Sequence, residues 1–322
     1  MERGPVISRV STNARFHIEC TGGIPAGLSQ DLCVKGYFTE IGRPARHAGV
    51  PEAAFYRDLA AATRVRTLRS VYVDIDAETN ASVLLTEDLV AQGGSFLDPL
   101  SEYTPDQTAR SLEELAKLHA TTWMRPQHAE TSWLASRLHM VSQVRGIPEI
   151  RGNFEGPIGA RVPDAVRDAD RLFRSYLTLA SHASSVTPWS VIHGDAHVGN
   201  LFLDSHGRPS LVDWQLVQRG PWYLDVGYHI ASTLTVEDRR RSERGLVRHY
   251  LDRLAAHGVE APAEGAAWSG LRYGFVHGFY LWGITLKVDP PITAALLERL
   301  GTAVDDHEAL DYVGSGAAAA EA

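Results

Sequence analysis

Two hydrophobic periods divide the chain. Up to about residue 90, apolar and polar positions alternate in short runs. Arg15 to Cys20 and Gln30 to Tyr37 read as strands around the breaker-rich stretch T-G-G-I-P-A-G-L-S, and Ser70 to Asp76 and Ser82 to Asp88 read as strands around A-E-T-N. Between them, E-A-A-F-Y-R-D-L-A-A-A-T reads as a helix, with Pro51 suited to its first turn and Phe55, Leu59 and Ala62 on one stripe. From about residue 100 the period is helical. Thr104, Pro105 and Gln107 form a capped start, and Leu112, Leu115, Ala116, His119 and Trp123 share one face, on which His119 reads as a packed core histidine. Residues 162 to 180 repeat the signal through Val166, Ala169, Phe173, Tyr176 and Ala180, and further helical segments follow residue 237. Residues 125 to 161, rich in Gly, Pro and His, have poor periodicity and suit either a substrate insert or a long connection. The pattern predicts an α+β protein with a β-rich lobe over 1–89, a mostly helical lobe over 90–322, and a frayed low-complexity tail over 313–322.

The most informative segment is H-G-D-A-H-V-G-N-L-F-L-D-S-H-G-R-P-S-L-V-D, residues 193 to 213. Leu201 to Leu203 and Ser210 to Val212 are short apolar strands joined by Asp204 to Arg208, a hairpin signal. With the turn centred on His206 and Gly207, Leu203 faces Ser210 and the continued register places Asn200 opposite Asp213. An Asn and an Asp held together suit a hard cation such as Mg²⁺, which prefers oxygen ligands. Asp195, on the entering loop, is then available to accept a proton from a hydroxyl.

The string resembles the catalytic loop of protein kinases, except that Gly194 stands where those enzymes carry Arg. H-G-D-x-x-x-x-N followed by an Asp at a hairpin exit is similar to the aminoglycoside phosphotransferase and choline kinase-like superfamily. The continuation L-V-D-W-Q-L-V-Q-R-G-P-W-Y-L-D-V-G-Y-H-I is similar to its ecdysteroid kinase-like branch. The resemblance implies a protein kinase-like two-lobed fold with the nucleotide between the lobes, ATP and Mg²⁺ as cofactors, and phosphoryl transfer to a small-molecule alcohol. It implies Asp195 as base, Asn200 and Asp213 as metal ligands, Lys35 on the phosphates with Glu52 as its partner, and His193 and Asp225 orienting the loop by backbone hydrogen bonds. His197, between base and metal Asn, suits either a phosphate or metal contact or a structural role. V-L-L-T-E-D-L resembles the family's hinge, with Glu87 and Leu89 offering backbone groups to the adenine. One departure is plain: the phosphate-covering loop, near Val6 to Phe16, contains no Gly. Ser11, Thr12 and Asn13 would present N–H and hydroxyl groups there or form an ordinary hairpin turn, and the segment that usually precedes this loop is missing or very short.

Composition narrows the classes. At 322 residues and 44% hydrophobic, the chain is long enough for two lobes, and a net charge of −8 gives no basic footprint for nucleic acid or anionic lipid. No apolar run approaches a membrane span and no signal peptide is present, so a cytoplasmic protein is expected. Cys20 and Cys33 fall in neighbouring predicted strands and read as buried thiols. Lys35 is one of three lysines against 28 arginines, a bias that also suits a GC-rich genome. Trp268, Tyr273, Phe279 and Trp282 either line an apolar pocket or pack a helix. The acids are scattered among arginines, which favours a neutral or apolar acceptor over a polycationic aminoglycoside. Two other readings remain: a metal-dependent hydrolase built on H-x-D-x-H with Asp213, Asp225 and His229, and a nucleotide-binding pseudoenzyme.

Overall fold

The computed structural model describes residues 3–8 as backbone and residues 11–315 in full. They fall into two compact units, one running to Phe96 and including Leu201–Val217, the other holding Leu97–Asn200 and the chain from Gln218 onward.

The first unit is built on a five-stranded antiparallel sheet of order β1-β2-β3-β5-β4, with β1 Arg3–Ser8, β2 Thr12–His17, β3 Asp31–Gly36, β4 Ser70–Ile75 and β5 Ser82–Glu87. β2 starts and ends earlier than its alternation suggested, because an upstream strand recruits Thr12 and Asn13 by pairing Ser8 with Thr12 and Ile7 with Asn13. Cys20 therefore sits outside any strand and is exposed, and Cys33 on β3 is half-buried, so the expectation of two buried thiols is corrected. The helix runs as Val50–Ala54, a π turn at Phe55–Leu59, and Ala60–Thr63. A π turn inserts one extra residue. The buried stripe accordingly passes from Phe55 and Leu59 to Thr63, leaving Ala62 exposed.

The hairpin forms at Leu201–Leu203 and Pro209–Leu211, joined on its other side by Ser95–Phe96. Its register is one residue away from expectation, since Leu203 faces Pro209 rather than Ser210. Asp204 causes the shift: its Oδ1 accepts the N–H groups of both His206 and Arg208 at 2.9 Å, which stabilises a five-residue loop with Gly207 at φ +71. The argument that set Asn200 opposite Asp213 thus rests on a register the hairpin does not adopt. The strand pairing with Ser95–Phe96 also places the boundary of the first unit beyond residue 89 and brings 201–217 into it.

In the second unit, helix Pro105–Thr122 begins at a capping box between Thr104 and Gln107 and buries Leu112, Leu115, Ala116 and His119. The helix expected from residue 162 begins at Ala169 instead and runs to Ser185. Pro163 disfavours helical backbone before it, and Asp168 caps the new start by accepting the Arg171 N–H. Residues 125–161 contain the short helices Pro126–Ala129, Leu138–Val144 and Ile147–Glu155. The core helix Tyr223–Thr233 crosses helix Glu264–Gly283 very closely. A Cβ on Gly274 would lie 2.3 Å from the Tyr223 carbonyl oxygen, and one on Gly227 would lie 2.6 Å from that of Leu271. This close crossing fixes the depth of Asp225 and Tyr228. Helices Val236–Ala256, Pro290–Asp306 and Ala309–Gly314 complete the unit, so Val313 and Gly314 end a helix rather than begin a frayed tail, while 316–322 lie outside the described residues. No described helix is long and apolar enough to cross a membrane.

Candidate active site

In the first unit, Lys35 lies mid-sheet on β3, opposite Asn13 of β2 and Leu84 of β5. Its Nζ stands 2.7 Å from Glu52 Oε2 and 3.0 Å from Asp213 Oδ1. Burial alone would lower the Lys35 pKa, but Asp213 and Glu52 override it and hold the ammonium above its ordinary value. Burial pushes the Glu52 carboxyl up against the pull of Lys35. Glu52 also accepts the backbone N–H of Trp214, so the helix and the hairpin exit share one anchor. Trp214 stacks on Phe55 with centroids 3.7 Å apart and donates Nε1–H to Thr67 Oγ1. Asp213 itself is left-handed at φ 64, and its side chain is 42% exposed, against 5% for Glu52. One ammonium beside two carboxylates leaves a net negative, oxygen-only cluster with its exposed member at Asp213, a donor set that fits a hard cation.

The β5 end carries the predicted hinge. The Glu87 N–H is bound to Arg69 O and the Leu89 carbonyl to the Gly94 N–H, so the Glu87 carbonyl and the Leu89 N–H are the backbone groups of these two residues that take no part in those bonds. The Glu87 carboxylate is engaged by Arg69 and Gln92. Of the candidate phosphate loop, Thr12 and Asn13 are strand residues and Ser11 sits at the bend, while Arg9 and Val10 lie outside the described residues.

In the second unit, strand Ser190–Ile192 leads into His193, Gly194 and Asp195. Asp225, fully buried, accepts the His193 N–H at 2.6 Å, the Gly194 N–H at 2.8 Å and His119 Nε2 at 3.2 Å. Burial would raise its pKa; the His119 bond and neighbouring donors win and lower it. His277 Nε2 donates to the Gly194 carbonyl at 2.8 Å, and His193 Nδ1 accepts the Asp195 N–H at 3.2 Å. The backbone of the His193–Asp195 loop is thus held from both faces. The Asp195 carboxylate takes Tyr228 OH on Oδ1 at 3.1 Å and Asn200 Nδ2 on Oδ2 at 3.2 Å, while the same Asn200 Nδ2 holds the Asp195 carbonyl at 2.8 Å. His197 Nδ1 accepts the Gly199 N–H at 3.0 Å, which makes Nε2 the protonated nitrogen, 3.8 Å from Asp195 Oδ2. His197 is therefore oriented as a donor toward the carboxylate rather than as a metal ligand.

Several expectations change. His229 cannot join a metal site, because Nδ1 donates to Ala196 O at 2.7 Å and Nε2 pairs with Ser111 Oγ at 2.6 Å, and burial pushes its pKa down to about 4. With Asp225 equally spent on backbone N–H groups, the H-x-D-x-H hydrolase site is not assembled. Of the four aromatics considered as a pocket lining, Phe279 stacks on Phe154, Tyr273 on His182, and Trp268 contacts His307 and Arg244. Only Trp282 reaches the loop, donating Nε1–H to Tyr228 OH at 2.7 Å. Tyr228, His277 and Trp214 were not singled out in the sequence. Tyr228 had a signal, lying one helical turn after Asp225 on the same helix; His277 had none.

The fold and these constellations define a small-molecule kinase of the protein kinase-like type. Similar solved structures include a choline/ethanolamine kinase family protein from Mesorhizobium loti (TM-score 0.52, 18% identity, covering 97% of this chain and 93% of that one). Also similar are a Plasmodium vivax ethanolamine kinase (0.56, 13%, 94% and 81%) and a microcompartment-associated aminopropanol kinase (0.56, 16%, 97% and 93%). At these identities the likeness is one of fold. No curated protein matches the chain. The chain belongs to the ecdysteroid kinase-like family, whose sequence model matches residues 52–260. That span contains Glu52, Asp195, Asn200 and Asp213; Lys35 lies outside it and is tied to Glu52 and Asp213 by its own geometry.

Proposed function

We propose that the protein transfers the γ-phosphoryl group of ATP to a hydroxyl of a small molecule, a neutral or apolar alcohol. The observation that carries this reading is the Lys35 ammonium between Glu52 and Asp213. A lysine made this strongly cationic, beside one buried and one exposed carboxylate, suits a phosphate clamp next to a cation ligand. Lys35 would bind the α and β phosphates, with Glu52 fixing it. Ser11, Thr12 and Asn13 would face the phosphates, and the Glu87 carbonyl and Leu89 N–H would meet the adenine edge. Mg²⁺, when bound, would neutralise phosphate charge, held by Asp213 and by Asn200 Oδ1, the amide oxygen left when Nδ2 turns to Asp195. Asp195 would orient the acceptor hydroxyl and take its proton as the acceptor oxygen bonds to the γ-phosphorus and ADP leaves. His193 and Asp225 hold that loop and touch no substrate.

The rings of Tyr228, His197 and Trp282 around Asp195 support a neutral or apolar acceptor, although such a frame also accommodates a quaternary ammonium. A cytoplasmic setting, with ATP at hand, suits the reaction. The test is a phosphoacceptor screen with ATP and Mg²⁺ read by ³¹P NMR, spanning sterols, simple alcohols, choline, ethanolamine and an aminoglycoside, with Asp213→Ala as control. Transfer to a neutral alcohol is expected. No phosphoester above the Asp213→Ala background with any acceptor, together with no thermal shift by ATP and Mg²⁺, would overturn the reading.

A further inference from the structure

A short chain of hydrogen bonds runs into Asp195 from the core. Trp282 Nε1 lies 2.7 Å from Tyr228 OH, and Tyr228 OH lies 3.1 Å from Asp195 Oδ1. The direction of both bonds is forced. An indole N–H can only donate, so the Tyr228 oxygen accepts and its own proton is left for the carboxylate, which in its ionised form only accepts. Tyr228 is fully buried and Trp282 is 5% exposed, so water does not compete for either group. The Tyr228 ring stands edge-on to His277, whose Nε2 grips the Gly194 carbonyl. Burial and the nearby Asp195 charge hold the phenol well above its ordinary pKa, so it keeps the proton it donates.

The geometry points to Tyr228 as a positioning residue for Asp195, with Trp282 acting through it: together they hold the carboxylate in one orientation, leaving the face of Oδ2 beside Asn200 for the acceptor hydroxyl. This rests on the phosphotransferase reading above. The other oxygen takes Asn200 Nδ2 at 3.2 Å, with His197 Nε2 farther off at 3.8 Å, so without Tyr228 Oδ1 loses its donor and the carboxylate is freer to rotate about its Cβ–Cγ bond. Trp282 also meets His197 edge-on, but a Phe there keeps a ring and removes only the N–H that reaches Asp195 through the Tyr228 hydroxyl, so the losses of the two hydrogen bonds are not independent.

The test uses Tyr228→Phe, Trp282→Phe and the double variant, each keeping an aromatic ring in place. Both kcat and KM are measured with whichever acceptor the wild type phosphorylates, and the Tyr228–Asp195 bond is read without turnover from the urea-unfolding midpoints of Tyr228→Phe, Asp195→Asn and the two combined. Tyr228→Phe is expected to lower kcat about tenfold or more, with KM for ATP unchanged. Trp282→Phe should lower kcat by less, the double variant should match Tyr228→Phe alone, and the midpoint shifts of Tyr228→Phe and Asp195→Asn should not add. An unmoved kcat in Tyr228→Phe, fully additive effects in the Tyr228 and Trp282 double variant, or additive unfolding midpoints overturns the inference. Should the wild type transfer no phosphate, the functional reading fails while the unfolding midpoints still decide whether Tyr228 holds Asp195.

Discussion

Asp225→Asn isolates the anchor of the loop that carries Asp195. The carboxylate accepts three donors in a site closed to water, two on Oδ2 and one on Oδ1. An asparagine can present its carbonyl toward His193 N and His119 Nε2, but its NH₂ then faces the Gly194 N–H and leaves that donor unpaired. One stranded buried N–H costs about 1–3 kcal/mol, and converting the other two bonds from charged to neutral acceptors removes about 1 kcal/mol each, partly offset because no charge is buried any longer. A net loss of roughly 3 kcal/mol would lower Tm by about 6–12 °C for a unit of this size. Urea unfolding by near-UV circular dichroism measures it, and kcat should fall in parallel because the disturbed N–H groups immediately precede Asp195. The pH dependence gives a second check. The native carboxyl titrates below its unfolded value of about 3.9, so its contribution is present above that value and disappears as the pH falls through the lower folded pKa; the wild-type advantage over Asn should shrink only in acid. An Asn variant within about 0.5 kcal/mol of wild type at neutral pH would refute the reasoning.

Asp195→Asn should bind ATP with Mg²⁺ almost normally, by calorimetry, yet lose about 10²–10⁴-fold in kcat, whereas Lys35→Ala should weaken nucleotide binding as well; full kcat in the Asn variant would remove Asp195 as base. Asp213→Ala should abolish transfer while unfolding as cooperatively as wild type, and near-normal turnover would refute its metal role. His229 is held neutral with a folded pKa of about 4 against about 6.5 unfolded, so the unfolded state takes up the proton first as pH falls. Stability should therefore drop by about 3 kcal/mol between pH 6.5 and 4, a slope His229→Gln should lack if this group is its source.

The sequence reading succeeded where the determining contacts are local. The start of helix 105–122 is a capping box four residues long, and the four alternating strands from 12 to 87 each carry their own signal. It slipped where one side chain or one extra residue outweighs the pattern: Asp204 resets the hairpin by one position, a π turn moves the stripe from Ala62 to Thr63, and Pro163 delays a helix to Ala169. The Lys35 and Glu52 pairing, 17 positions apart, was reached through resemblance and is visible as a contact of 2.7 Å. Tyr228 and His277 lie 33 and 83 positions from their partners in the loop, and no periodicity encodes such distances. Trp214 illustrates a third case, since its aromatic character was legible but its backbone bond to Glu52 was not.

The exposed Cys20 makes this chain convenient for spectroscopy without engineering. Only two cysteines are present, and burial raises the pKa of Cys33, which keeps that thiol protonated and slow to react. A maleimide dye added in limiting amount would therefore label Cys20 first and sit in the same unit as Lys35, where it can report nucleotide binding in a protein of native sequence. The same exposure means that preparations stored without reductant would cross-link through Cys20 into disulfide-bonded pairs, which could be mistaken for a natural dimer.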